Sequence, residues 1–250
     1  MNEVIRQMGK HSSVREFNMS KDVSEELVQV IIKSAMAAPN WINGQQVSVI
    51  AVRNSENKKL LAKAAGDQKW VEEAPVFLVF CMDFYRAKIA ARKNNKEFRI
   101  KDDIEAVIVG STDVGIALGS AVVAAESLGL GTVPIGGIRK NAEDVIKILD
   151  LPEYVYPIAG LAIGYPEVIP SPKPRLPLQA TYHKESYVKD KMSELIDQYD
   201  ETISSYMSER TNGKDTSNWS SKVANFYETR YEPYAEATSP TLKKQGFDYK

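Results

Sequence analysis

Leu128-Gly-Leu-Gly-Thr-Val-Pro-Ile-Gly-Gly-Ile-Arg139 is the stretch on which the fold class turns. Gly129 and Gly131 begin what a dinucleotide-binding turn requires, yet no third glycine follows at the needed spacing and no other stretch supplies Gly-x-Gly-x-x-Gly. A doubly wound dinucleotide fold is therefore excluded. What remains is a loop, a short strand and a Gly-Gly turn, where the missing Cβ lets backbone N–H groups approach a planar ligand.

Upstream of it, Ile104 to Leu128 is nearly continuous in apolar and small residues, with Glu105, Asp113 and Glu126 as its charges, and predicts one long helix. Ser111, Gly115 and Gly119 line one stripe of that helix, where another backbone can come close. Two readings follow: a core helix inside one subunit, or a helix packed at a subunit interface. Downstream, Asn141 to Leu149 predicts a capped helix and Pro157 to Gly164 a strand.

Further toward the N-terminus, Asp22 to Ala38 predicts a helix, with Asp22 or Ser24 as cap and Leu27, Ile31, Ala35 and Ala38 as its apolar face. Pro39 and Asn40 stop it. Val47–Val52 reads as a buried strand, Ser55 to about Ala65 as a charged helix and Val76–Met82 as a second buried strand. With 250 residues, 43% hydrophobic and 26% charged, the chain can bury a substantial core in one or two globular domains. A net charge of -1 gives no general attraction to nucleic acid or to acidic lipid. Cys81, the single cysteine, lies inside an apolar strand, so neither a disulfide framework nor a thiolate metal site is available. No h-region opens the chain, and no apolar run reaches the length of about 18 residues that a spanning helix needs, so a cytoplasmic location is expected, without nucleic-acid or membrane partners.

Chemistry is concentrated near the two ends. His11-Ser-Ser-Val-Arg15-Glu-Phe17 gathers a histidine, two hydroxyls and an arginine, a donor set that suits phosphate oxygens. Tyr165 to Pro177 contains five prolines and carries Lys173 and Arg175 on a stiffened backbone, a second candidate half of one phosphate clamp. Beyond it lie a long amphipathic helix (Val188, Met192, Leu195, Ile196, Tyr199, Ile203, Tyr206), a polar loop, a helix from Trp219 to Arg230, and a tail, Thr241 to Phe247, without an evident core of its own.

His11-x-Ser-x-Arg15, Gln45, Gly66-Asp-Gln68, Ala125-Glu-Ser-Leu-Gly-Leu-Gly131, Ile135-Gly-Gly-Ile-Arg139, Gly164-Tyr-Pro166, Lys173-Pro-Arg175-Leu-Pro177 and Lys244-Gln-Gly-Phe247, in that order, resemble the A-type oxygen-insensitive NADPH nitroreductases and NADPH-flavin oxidoreductases across nearly the whole chain. The resemblance implies an α+β fold with a central, mainly antiparallel sheet flanked by helices, a domain-swapped homodimer, FMN at the dimer interface and NADPH as electron donor. It implies an FMN-binding core over 1–170 and, over 171–250, an extension that completes the phosphate site, carries the NADPH loop and embraces the partner.

By the same resemblance His11, Ser13 and Arg15 hold the FMN phosphate and ribityl chain, and Lys173 and Arg175 complete the phosphate site. Asn40 and Gln45 fall beside the flavin, Gln68 hydrogen-bonds its ring, and Ile135, Gly136 and Gly137 lie beneath it. Arg210, with Lys214 second, stands where the family's loop reads the 2′-phosphate of NADPH. Two departures are evident: Ser12 stands where the family has arginine, and Pro39-Asn40-Trp41 where relatives have a run of serines. The implied activity is two-electron, ping-pong reduction of nitroaromatics, quinones or flavins. The flavin supplies the chemistry, with no protein nucleophile or metal. Reduction of disulfides or nitrosothiols, or flavin binding without turnover, remain alternatives.

Overall fold

The computed structural model describes residues 2–100 and 104–249. The chain forms two compact units, Met1–Pro170 together with Tyr234–Lys250, and Ser171–Pro233. In the first, β1 (Val47–Val52), β2 (Val76–Asp83), β3 (Gly131–Ile135) and β4 (Val155–Gly164) make an antiparallel sheet in the order β1-β2-β4-β3. Around it are α1 (Glu3–Gly9), α2 (Glu25–Met36), α3 (Ser55–Ala64), α4 (Lys69–Glu73), α5 (Tyr85–Lys93), α6 (Ile104–Ser127) and α7 (Ala142–Leu149). This is the expected helix-flanked antiparallel sheet.

β2 explains the layering. All eight of its residues are buried, because alternate side chains serve two cores. Val76, Leu78, Phe80 and Met82 pack with α2 and α6 on one face, while Phe77, Val79 and Cys81 pack with α3 and α7 on the other. A strand covered on both faces has no polar side, which is why its sequence is a continuous apolar run. Burial pushes the Cys81 thiol far above its ordinary range, so it behaves as a core residue. β1 is an edge strand, and most of it is only half-buried rather than buried as its sequence suggests.

Ser24, not Asp22, caps α2 by accepting from Leu27 N–H, and Val28, Ile31 and Ala35 form its buried face. Asn141 occupies the cap position of α7 without capping it; its amide donates to Ala64 O instead. α6 buries Ala106, Gly110, Asp113, Val114, Ala117, Ala121 and Ala125, so it is a core helix on that side. By length and composition it could also cross a membrane, but a core helix passes the same test. Gly115 and Gly119 lie on its outward side with nothing within 4 Å of where a Cβ would stand.

The second unit holds α8 (Met192–Arg210) and α9 (Trp219–Thr229). Tyr199 and Ile203 are the buried residues of α8, and Val188 lies before its start. The tail packs on other elements, as a segment without a core of its own must. It forms a further helix, α10 (Glu232–Lys244), with Pro240 inside it, and it finds its core within its own chain. Leu242 and Phe247 are buried with the α2–α6 layer, and Phe247 meets Phe84 and Tyr154 edge-on at 6.0 and 5.9 Å. Tyr154 N–H donates to Gln245 O at 2.7 Å, closing the tail onto the start of β4. Phe247→Ala should therefore cost about 3–5 kcal/mol of stability, read as a lower midpoint in urea unfolding, whereas Asp248→Ala next to it should change little.

Candidate functional site

The segment that carries His11, Ser13 and Arg15 runs along the edge of β3. Ser13 bridges Thr132, Val14 N–H donates to Thr132 O at 2.9 Å, and Phe17 bridges Pro166 beyond β4. Such close contact needs Gly131, since a Cβ there would stand 2.8 Å from the Val14 side chain. Val14 and Phe17 point into the core, which leaves Arg15 exposed between them.

From Arg15 a continuous set of contacts leads to the Gly-Gly turn. The guanidinium lies over the Trp70 ring, 5.2 Å from its centroid, a placement that fixes a flexible side chain. Trp70 Nε1 donates to Gln68 Oε1 at 3.0 Å, and Gln68 Nε2 donates to Ala65 O at 2.8 Å. Gln68 in turn abuts Gly137, where a Cβ would lie 2.3 Å from Gln68 Nε2 and 2.4 Å from Ala65 O. β3 ends at Ile135 directly before Gly136, which is exposed, and Gly137, which is buried. The structure thus brings Ser13, Arg15, Gln68, Ile135, Gly136 and Gly137 together. Trp70, the residue joining them, went unrecognised in the sequence because a lone tryptophan in a short helix carries no spacing signal.

Asn40 and Gln45 lie elsewhere in this unit, on a cleft of about 290 Å³ that Pro39, Arg86 and Asp113 also line. Asn40 Oδ1 accepts from Gln45 N–H at 2.9 Å, and Arg86 donates to the carbonyls of Gln45 and Val47. Asp113, only 3% exposed, accepts from Trp41 N–H and from Gln46 Nε2.

In the second unit, Lys173 and Arg175 are exposed on a strap that tyrosines of α8 hold. Tyr199 OH donates to Pro174 O at 2.8 Å and Tyr206 OH to Ser171 O at 3.3 Å. Arg210, the last residue of α8, donates to Tyr206 OH at 3.3 Å. The Tyr206 phenol lies below its ordinary pKa, first through its hydrogen bond with Ser171 and further through the charges of Arg210 and Lys173. The sequence marks both tyrosines only as members of an apolar face. In the loop after α8, Ser217 and Lys222 hold the Asp215 carboxyl down at about 2, with the Ser217 hydroxyl as the largest cause. Lys214 is exposed.

The cations differ in whether they face a carboxylate. Arg53, Arg86, Lys88, Lys147 and Lys222 each face a carboxylate within ion-pair distance. Among the described residues Arg15, Lys173, Arg175, Arg210 and Lys214 face none. Within the first unit, Arg15 and the backbone of the Gly-Gly turn are groups open to an anionic, planar ligand. No group of three or more metal-ligating side chains exists among the described residues.

The chain matches known proteins over nearly its whole length. Residues 8–165 match the family model described as Nitroreductase family, and residues 173–250 match that of the Nitroreductase family, C-terminal domain. The chain is a member of the nitroreductase family. It is 48% identical, over 99% of its length and 98% of the relative's, to a Bacillus subtilis protein named FMN reductase [NAD(P)H]. The solved structure of B. megaterium NfrA2 superposes with a TM-score of 0.95 at 50% identity, covering 100% of both chains. That of the Vibrio harveyi NADPH:FMN oxidoreductase complexed with NAD+ gives 0.86 at 34% identity, over 99% of each chain.

The two glycines of the turn should respond differently to a methyl group. Gly137→Ala forces a clash with a backbone carbonyl and should cost about 1–3 kcal/mol. At Gly136 the nearest heavy atom to a new Cβ is 3.7 Å away, so Gly136→Ala should leave the thermal midpoint nearly unchanged. Thermal unfolding of both variants in parallel checks this.

Proposed function

We propose that the chain is an FMN-dependent NADPH oxidoreductase that passes electrons in pairs to nitroaromatics, quinones or flavins. The observation that carries this reading is the continuous set of contacts from Arg15 over Trp70 and Gln68 to the Gly-Gly turn, since it places a cation with no carboxylate partner, suited to phosphate, on the same set of side chains as a Cβ-free backbone suited to a planar ring. The donor chemistry fits a flavin nucleotide: guanidinium, ammonium, hydroxyl and imidazole groups for the ribityl phosphate, and a Cβ-free turn for the ring.

FMN, when bound, supplies a hydride acceptor and returns two electrons to a second substrate, which makes a ping-pong cycle the natural kinetic form. This chain's own residues bind and orient. His11, Ser13 and Arg15 take the ribityl-phosphate end, with Lys173 and Arg175 as further phosphate donors. Gln68, Ile135, Gly136 and Gly137 take the ring, and Asn40 and Gln45 are assigned beside the flavin. Held donors of this kind stabilise negative charge on the reduced ring without reorganising. NADPH is preferred through Arg210, with Lys214 second, because the fold has no dinucleotide fingerprint and the 2′-phosphate must be read by a local cation. A homodimer is part of this reading; the outward stripe of Ser111, Gly115 and Gly119 on α6, flanked by exposed Ile108 and Ile116, supports it.

Arg15→Ala should weaken FMN binding by about 10-fold to 100-fold, the loss of one charge-assisted bond. Flavin fluorescence titration measures it, and unchanged affinity would refute the assignment of Arg15. Colourless wild-type protein that also fails to take up added FMN would refute the cofactor itself.

Arg210→Ala should raise KM for NADPH by about 10-fold to 100-fold while leaving NADH kinetics and kcat in place, as expected for uniform binding of a phosphate remote from the reacting atoms. Equal losses with both nucleotides, or none, would move the specificity to another residue.

A further inference from the structure

Glu126 has no part in the reading so far, and its surroundings need explaining. It sits in the last turn of α6 with its side chain 10% exposed. A carboxylate there lies at the negative end of the helix dipole and has little water, so both the helix and the solvent disfavour it. Its Oε1 is met from two other segments, by His11 Nδ1 at 2.7 Å and by Thr132 Oγ1, which donates at 2.8 Å. Thr132 also accepts the main-chain bond from Val14. The carboxylate, the imidazole and the Ser13–Arg15 segment are therefore tied together.

A carboxylate at Nδ1 holds a proton on that nitrogen and fixes the ring's orientation, which makes Nε2 the atom left to face a ligand. Among the described residues Nε2 has no hydrogen-bond partner.

We infer that Glu126 is a positioning residue for the flavin nucleotide: acting through His11, it presents Nε2 to the ribityl-phosphate end of FMN. This rests on the FMN reading above and adds to it the group that sets the histidine. Glu126 touches neither the nucleotide nor the reacting atoms.

The test uses the full-length protein and FMN itself. ¹⁵N spectra of histidine-labelled protein, with His183→Gln to assign the two rings, should show His11 protonated at Nδ1 before FMN is added and a shift at Nε2 on titration. Glu126→Ala should raise the Kd for FMN by about 10-fold, the equivalent of one lost charge-assisted bond. Glu126→Gln keeps an acceptor for Nδ1–H and should restore affinity to within about threefold of wild type, a rescue that a merely space-filling role would not produce. Unchanged FMN affinity in Glu126→Ala, no rescue by glutamine, or perturbation at Nδ1 in place of Nε2 would each overturn the inference while leaving the cofactor reading standing. Wild-type protein that takes up no FMN would overturn both. The wild-type titration needs no Glu126 variant, so the inference can still be refuted if Glu126→Ala does not fold.

Discussion

The main-chain hydrogen bond from Val14 N–H to Thr132 O, 2.9 Å long, is the constraint from which the candidate site follows. It lays an irregular segment against the edge of β3, and the burial of Val14 and Phe17 then decides which side chains go where. Val14 and Phe17 go inward and are buried. Ser13 and Arg15, one residue before and after Val14, are thereby kept at the surface. A slip of one position would bury the arginine and expose the valine, so the packing of two apolar side chains sets the register of the charged ones. Gly131 permits the approach; any larger residue would lift the segment off the strand.

A rigid core gives that edge its precision. β2 is buried on both faces and β4 over nearly all of its length, so the sheet cannot shift without breaking two cores at once. β3 hangs on β4 through five paired residues and ends exactly where the Gly-Gly turn begins. The turn is fixed from behind by Gln68, which Trp70 and Ala65 hold at both ends of its amide. The same Trp70 ring steadies Arg15. One aromatic residue thus couples the candidate phosphate end of the site to the candidate ring end, without a charge of its own.

How much of this could be read from the sequence follows from the range of each signal. β2, α6 and the β3 turn are legible because their patterns are local and unmixed: a continuous apolar run, a long stretch with few charges, a glycine pair. His11, Ser13 and Arg15 are legible as a cluster because they are neighbours in the chain. Trp70 is not, since its role exists only once α4 is placed beside the segment that carries Arg15. Glu126 is equally hidden: its partners His11 and Thr132 lie 115 and 6 residues away, and its motif reads as an ordinary helix end. The receptor for the tail is hidden for the opposite reason. Leu242 and Phe247 are too few to suggest a core, yet Phe84 and Tyr154 wait for them on the first unit, and no local pattern announces a receptor. Asn141 shows that a residue with the right propensity at a helix start can be taken by a tertiary partner, Ala64 O, and leave the cap unmade.

The loop after α2 shows where stability has been given up. Ile42, Asn43 and Gln45 all have positive φ, at 48, 54 and 50 degrees, and for a β-branched residue such as Ile42 that conformation is rare and costs roughly 1–3 kcal/mol. Nothing local favours it. The loop is held from outside, by Asp113 on Trp41 N–H, by Asn40 on Gln45 N–H and by Arg86 on two carbonyls. Asp113 is itself nearly buried, so its negative charge is stabilised by the loop as much as the loop is by it. Trp41 and Ile42 are left 57% and 81% exposed at the tip, an arrangement that hydrophobic burial opposes. A strained loop pinned at three points with its apolar tip outward is therefore held in one shape and is not a slack connection.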